Sequence, residues 1–130
     1  MEDFQIIHLD NVVVVKVDLV AATHRDANPL WATFENNSLF EHAKIIIDIS
    51  CCMHVDSTFI GMIVKIFRKV CANKGHLKLI FPQLTSVDSF RVTGISKVLE
   101  CFDSVEEALI PLKLKLPVRD ILLNQEIAAN

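Results

Sequence analysis

The sequence predicts an α/β domain in which a mixed β-sheet of about four to five strands is flanked by about four α-helices. Stretches of β-prone and helical spacing alternate along the chain in the order β-β-α-β-α-β-α-β-α. Residues 44–50 (KIIIDIS) form a continuous β-branched run, which is typical of a central strand buried on both faces of a parallel sheet. Asp10-Asn11 separates two β-prone runs and indicates a hairpin turn.

The first half of the chain predicts two strands and two helices. The strands are residues 4–9 and 12–17, on either side of the hairpin turn. Asn28-Pro29 predicts the start of the first helix, since proline is favoured in a first turn. Apolar residues in two rows predict a long helix over residues 57–73, and Gly75 is expected to adopt the left-handed conformation after it.

The second half predicts a strand, a short helix, a strand and a last helix. These elements are expected at residues 76–81, from Thr85 or Ser86 to about Gly94, at residues 98–102, and from the Ser104–Glu107 capping box to Pro111. We place the domain at residues 1–113. Residues 114–130 are then a C-terminal extension that packs on or beside it.

Composition limits the function classes. The chain has 130 residues, of which 52% are hydrophobic and 22% charged, as expected of one globular domain with its own core. A net charge of −3 argues against nucleic-acid binding. The acidic N-terminus does not resemble a signal peptide, and no apolar stretch is long enough to span a bilayer. We therefore expect a cytoplasmic protein with reduced cysteines and no membrane insertion.

No catalytic or cofactor motif is found. The three glycines are not adjacent, so the chain has neither a P-loop nor a dinucleotide-binding turn. Cys51, Cys52 and His54 are the most metal-like cluster, but no second pair of ligands lies at a usable spacing. We interpret these cysteines as structural. The sequence predicts a protein that is not an enzyme and holds no cofactor or metal.

The segment Asp56-Ser57-Thr58 lies where a buried strand leads through a short loop into the long helix. Either Asp56 or Ser57 can cap that helix. The segment has two interpretations: a capping cluster only, or a phosphorylation site. A phosphate at a helix N-terminus meets backbone donors and is tolerated, whereas a protein partner packed there would meet about two negative charges.

This segment resembles the STAS domain of anti-sigma factor antagonists. Residues 45–50 (IIIDIS) and 56–61 (DSTFIG) match the family's strand and the start of its helix. Further matches, in the family's order, are residues 74–80 (KGHLKLI), 92–95 (VTGI) and 102–109 (FDSVEEAL). The resemblance covers roughly residues 5–112 and implies a STAS-type sheet.

The resemblance also implies partner switching. In this family the unphosphorylated antagonist binds a GHKL-type anti-sigma serine kinase, phosphorylation of the serine after the motif aspartate releases the kinase, and a serine phosphatase reverses the modification. The matching acceptor is Ser57, with Thr58 less favoured. The resemblance implies a partner-binding surface at these residues: Asp56, Ser57, Thr58, Phe59, Ile60 and Met62. A homodimer is compatible with the sequence.

One departure from the family pattern keeps alternatives open. Family members carry an aspartate near the phosphoryl acceptor, and Val20 stands at the matching position. This residue favours a STAS scaffold that binds partners without being phosphorylated. A receiver domain with Asp48 as aspartyl acceptor is the alternative from another class. It is disfavoured because Asp18 has no acidic neighbour and Lys97 precedes the last strand.

Overall fold

The computed structural model describes residues 2–82 and 94–113. Short 3-10 helices cover Leu39–Glu41 and Ile95–Lys97. The other elements are, in chain order, β1 (Phe4–Leu9), β2 (Val12–Val17), β3 (Ala21–Ala22), α1 (His24–Asn36), β4 (Lys44–Asp48), β5 (His54–Val55), α2 (Ser57–Ala72), β6 (His76–Ile80), β7 (Cys101–Phe102) and α3 (Val105–Lys113).

The main sheet has five strands in the order β1-β2-β4-β6-β7. β1 and β2 form the predicted antiparallel hairpin, and the remaining pairs are parallel. β4 lies in the centre, and all of its residues are buried, which confirms the prediction from its β-branched run. The mixed α/β architecture is therefore confirmed. β3 and β5, which were not predicted, form a separate parallel pair.

Helices cover both faces of the sheet because successive residues of a strand point to opposite faces. Ile45 and Ile47 belong to the larger core cluster, which also contains buried residues of α1 and α2. Ile46 belongs to a second cluster with Val14 and with Ala108 of α3. A wide apolar arc of α2 packs into the core. The core therefore determines which residues of this helix face outward.

The predicted start of α1 at Asn28 is wrong. Thr23 is the N-cap, and its Oγ1 accepts a hydrogen bond from the Arg25 N–H at 3.4 Å. The Asp26 carboxylate accepts in return from the Thr23 N–H at 2.9 Å. This capping box starts the helix more than one turn earlier, and the helix accommodates Pro29 in its interior without the hydrogen bond that proline cannot donate.

The chain leaves α2 differently from the prediction. Lys74, not Gly75, has the positive φ, at 64°. Gly75 is required by close packing instead, since a Cβ there would lie 2.8 Å from Val70 Cγ1 and 3.1 Å from the Val70 carbonyl oxygen. The tight contact brings the end of α2 against the start of β6.

Several predictions concern the C-terminal part. Residues 2–82 and 94–113 contain three α-helices and not about four, and the helix predicted from Thr85 or Ser86 lies outside these ranges. β7 is shorter than the predicted strand, and α3 continues past Pro111 to Lys113. The predicted extension at 114–130 also lies outside and stays a prediction. No helix in the described part of the chain is long and apolar enough to cross a membrane.

Candidate functional site

The N-termini of α1 and α2 lie side by side at one end of the sheet. The short pairing of β3 with β5, which matches Ala22 to Val55, joins the loops that lead into the two helices. Backbone hydrogen bonds extend this pairing, since the Val20 carbonyl accepts from the Met53 N–H at 2.7 Å and from the His54 N–H at 3.1 Å. Two segments far apart in sequence therefore form one surface.

Asp56 links these two helices through its carboxylate. Its Oδ1 accepts a hydrogen bond from the Phe59 N–H of α2 at 2.9 Å. Its Oδ2 accepts from the His24 N–H at the start of α1 at 2.8 Å. Asp56 is thus the N-cap of α2, which decides between the two predicted caps, and it also satisfies a free donor of α1.

These donors stabilise the ionised form of the Asp56 carboxyl. The hydrogen bond from the Phe59 N–H is the largest cause. Together with the backbone N–H and the ring of His24 it outweighs the opposing effect of desolvation and lowers the pKa of Asp56. The His24 Nδ1 lies 3.8 Å from Oδ2 and its side chain is 70% exposed. Asp56 is therefore a fixed negative charge beside the following serine at neutral pH.

Ser57 is the first residue of α2 and is exposed. Within residues 2–82 and 94–113 its hydroxyl makes no hydrogen bond, because Asp56 supplies the cap. Thr58 is exposed next to it. The structure thus brings the predicted acceptor to the surface and gives it no part in holding the helix.

Not all residues of the predicted partner-binding surface are accessible. Phe59 and Ile60 are buried, at 0% and 6% exposure, and both belong to the core. They lie on the inward arc of α2, so their side chains are unavailable to a partner. Met62 is half-buried, as is Asp56. The accessible surface is formed by Ser57 and Thr58, with partial contributions from Asp56 and Met62.

Gly61 lies on the exposed face of α2, one turn after Ser57. A Cβ at this position would meet no atom of the described residues within 4 Å, in contrast to the crowded Gly75. Glycine inside a helix costs roughly 0.5–1 kcal/mol relative to alanine. The packing of residues 2–82 and 94–113 therefore does not require glycine at position 61, and on this side the helix backbone is open to close approach from outside.

The other candidate groups are two cysteines and Asp48, which differ in their exposure. Cys51 is exposed and Cys52 is buried, and burial raises the pKa of the Cys52 thiol to about 12. Within the described ranges, no group of three metal-ligating side chains is assembled. Asp48 is only 8% exposed, and its Oδ1 accepts from the Ser50 N–H at 2.9 Å.

The sequence matches the family model of the STAS domain over residues 5–108. The chain belongs to the STAS domain family. The five-stranded sheet and the helix that begins at Ser57 are thus those of a STAS domain. A search of curated proteins found no match.

Solved structures share this STAS fold. TM1081 of Thermotoga maritima, assigned as an anti-sigma factor antagonist, has a TM-score of 0.71 at 20% identity, over 85% of this chain and 95% of that one. An anti-sigma factor antagonist of Mycobacterium paratuberculosis has a TM-score of 0.71 at 16% identity, over 85% and 93%. The phosphorylated form of the Bacillus cell fate determinant SpoIIAA has a TM-score of 0.61 at 19% identity, over 84% and 98%.

The participation of the α1 N-terminus in this site was not predicted from the sequence. The signal that indicates it is Thr23 followed three residues later by Asp26, a capping box that places His24 at the start of α1. The hydrogen bond from the His24 N–H to Asp56 spans 32 residues, so no local pattern could predict it.

Proposed function

We propose that this STAS domain is an anti-sigma factor antagonist that acts in the cytoplasm by partner switching. Its unphosphorylated form binds a GHKL-type anti-sigma serine kinase, and phosphorylation of Ser57 releases that kinase. A serine phosphatase restores the binding form. The chain itself is the substrate of these enzymes and has no catalytic role.

The observation that carries this proposal is the division of roles between Asp56 and Ser57. Asp56 holds the two helix N-termini, while Ser57 is exposed beside it with no structural hydrogen bond in the described part of the chain. A phosphate on Ser57 adds about two negative charges at a helix N-terminus, where the dipole favours an anion. The fold should therefore survive, while a docked partner meets a concentrated negative charge.

The chemistry of the proposed cycle is simple. The kinase transfers the γ-phosphoryl group of ATP to the Ser57 Oγ, the hydroxyl proton is removed, and ADP leaves. The phosphatase then hydrolyses the phosphoester with water and releases inorganic phosphate. No group of this chain other than the Ser57 hydroxyl changes covalently.

A phosphorylation assay tests the proposal. The kinase is recovered from native lysate with the wild-type chain as bait, purified, and incubated with the chain and ATP, and the phosphate is located by tandem mass spectrometry. We expect one phosphate, on Ser57, which Ser57→Ala prevents and Thr58→Ala leaves in place. Incorporation at Thr58, or none by a GHKL-type kinase that binds the chain, would contradict the assignment.

A STAS scaffold that is not phosphorylated is the second candidate. The observation that favours it is Val20, which is 66% exposed on the loop joined to the Ser57 segment through the Met53 and His54 N–H groups. An exposed valine gives this surface an apolar group in place of the family's carboxylate. Partner binding without phosphate incorporation in the assay above would support the scaffold.

Gly61→Ala separates binding from stability. We expect the free energy of unfolding to rise by about 0.5–1 kcal/mol, because alanine favours the helix and its Cβ meets no neighbour. Partner affinity should fall, since the added methyl group stands on the proposed contact face. Urea unfolding and titration with the purified kinase measure the two effects. Equal affinity of both proteins would remove Gly61 from the interface.

A further inference from the structure

The outward stripe of α2 continues beyond the Ser57 end and becomes basic. Helical spacing places Thr58, Gly61, Lys65 and Lys69 on one face, and all four are exposed. Arg68 lies at the edge of this stripe and is also exposed. Between Ser57 and Ala72 the helix carries these three basic residues and no acidic residue, although the chain as a whole is negatively charged.

The two lysines converge on one aromatic side chain of α1. The Lys65 Nζ lies 4.8 Å from the centre of the Trp31 ring, and the Lys69 Nζ lies 5.1 Å from it. The Lys69 Nζ also lies 4.4 Å from the Phe40 ring, which packs against Trp31. Aromatic faces attract both ammonium groups without neutralising them.

No carboxylate of the described residues forms an ion pair with these lysines. Among residues 2–82 and 94–113 the ion pairs are His24 with Asp56 and Lys78 with Glu100, so neither Lys65 nor Lys69 is paired there. Two ammonium groups drawn to one ring repel each other. An incoming anionic group would relieve that repulsion and meet the ammonium groups in a fixed arrangement.

We propose that Trp31, Lys65, Arg68 and Lys69 form a docking site for an acidic segment of the protein that contacts the Ser57 end of the same helix. This inference rests on the proposed function for the identity of that partner. Lys65 and Lys69 lie about 12 and 18 Å from Ser57 along the helix axis. An ordinary interface, of about 800 Å² on each side, is wide enough to cover both ends.

An acidic protein segment fits this surface better than a nucleic acid or a membrane. The three basic residues of this site lie on one flank of one helix, while the whole chain has a net charge of −3 and repels extended polyanions. The docking site would also keep part of the binding energy independent of phosphorylation. The phosphate on Ser57 would then weaken the binding of a partner that the docking site already holds in position on the helix.

The test uses Trp31 as a reporter, because it is the only tryptophan of the chain. The full chain is titrated with a short oligo-glutamate peptide while the emission of Trp31 is recorded. We expect a saturable change in emission, and a loss of affinity of about tenfold or more when Lys65→Glu and Lys69→Glu are combined. Lys97→Glu, at an exposed residue outside α2, makes the same change in charge as either lysine variant alone; it is the control for the single variants and should titrate like wild type.

Further variants and probes decide between outcomes. Since glutamate near the end of a helix opposes its dipole, Lys65→Gln with Lys69→Gln repeats the test with less strain on α2. A folded wild type that shows no saturable response, or lysine variants that bind as tightly as wild type, would overturn the docking site. Equal or tighter binding of a single-stranded oligonucleotide or of phosphatidylglycerol vesicles would also overturn it.

The result is separable from that of the phosphorylation test. Ser57→Asp changes the other end of the stripe, so it should leave the response of Trp31 to the peptide unchanged. If the peptide binds as expected but Ser57 is never phosphorylated, the docking site stands and the switch fails. If the kinase distinguishes phosphorylated from unphosphorylated chain while the peptide does not bind, the switch stands and the docking site fails.

Discussion

Asp56→Ala is expected to destabilise the domain by about 2 kcal/mol. One helix cap is worth about 1 kcal/mol, and the carboxylate of Asp56 caps α2 through the Phe59 N–H and also accepts from the His24 N–H of α1. The variant leaves a free donor at the N-terminus of each helix. The neighbouring Ser57→Ala should change stability by no more than about 0.5 kcal/mol, since the exposed Ser57 hydroxyl makes no hydrogen bond within the described residues.

Urea unfolding of the variants measures this difference. Asp3→Ala is a matched control, because Asp3 is exposed and its removal changes the net charge equally without loss of a cap. A loss below about 0.5 kcal/mol for Asp56→Ala would contradict its double capping role.

The same comparison has a pH dependence. Since the folded state lowers the pKa of Asp56, its ionised form contributes stability above the unfolded pKa, and that contribution is lost as pH falls through the folded pKa. The difference between wild type and Asp56→Ala should therefore shrink below about pH 4.

The parts of the fold that were predictable carry their signal within a few residues. The β-branched run of β4 is typical of a strand buried on both faces of a sheet. The two apolar rows of α2 indicate which side of this helix is buried. The same rows indicate that Phe59 and Ile60 face the core. Both residues were nevertheless assigned to the predicted partner surface, because they belong to the family motif. Helical periodicity was the better guide to their side chains.

The missed parts depend on contacts between distant segments. β3 and β5 have two residues each, which is too short for any alternation to be visible. The start of α1 was placed at Asn28-Pro29 because proline is a strong local signal, while the capping box of Thr23 with Asp26 governs the helix. The tertiary hydrogen bond from His24 to Asp56 follows from that earlier start.

The geometry of this site is compatible with the proposed switch, because modification of Ser57 would leave the cap of α2 in place. The structural role belongs to Asp56, which is hydrogen-bonded on both oxygens, and the proposed regulatory role belongs to its exposed neighbour Ser57. If Ser57 had been the cap, modification of its Oγ would have altered the helix end itself. Phosphorylation of Ser57 would then change the binding surface and the start of α2 at the same time.

Ser57→Asp should reduce affinity for the kinase by about a hundredfold or more while the fold stays intact. A partner packed on this surface would have to desolvate the new carboxylate beside the fixed charge of Asp56, and an uncompensated charge at an interface costs several kcal/mol. Stability should stay within about 0.5 kcal/mol of wild type or rise slightly, because an acidic residue in the first turn favours the helix dipole.

Affinity capture from native lysate with matched baits measures this effect. Ser57→Asn has the size of the aspartate without its charge and should retain most of the kinase, as should Ser57→Ala. Recovery of the kinase by wild type and Ser57→Asn but not by Ser57→Asp would assign the loss to charge. The carboxylate of Ser57→Asp lies on an exposed surface, so any partner that covers the start of α2 must contact it. Equal recovery by all of these baits would therefore mean that charge at position 57 does not control binding.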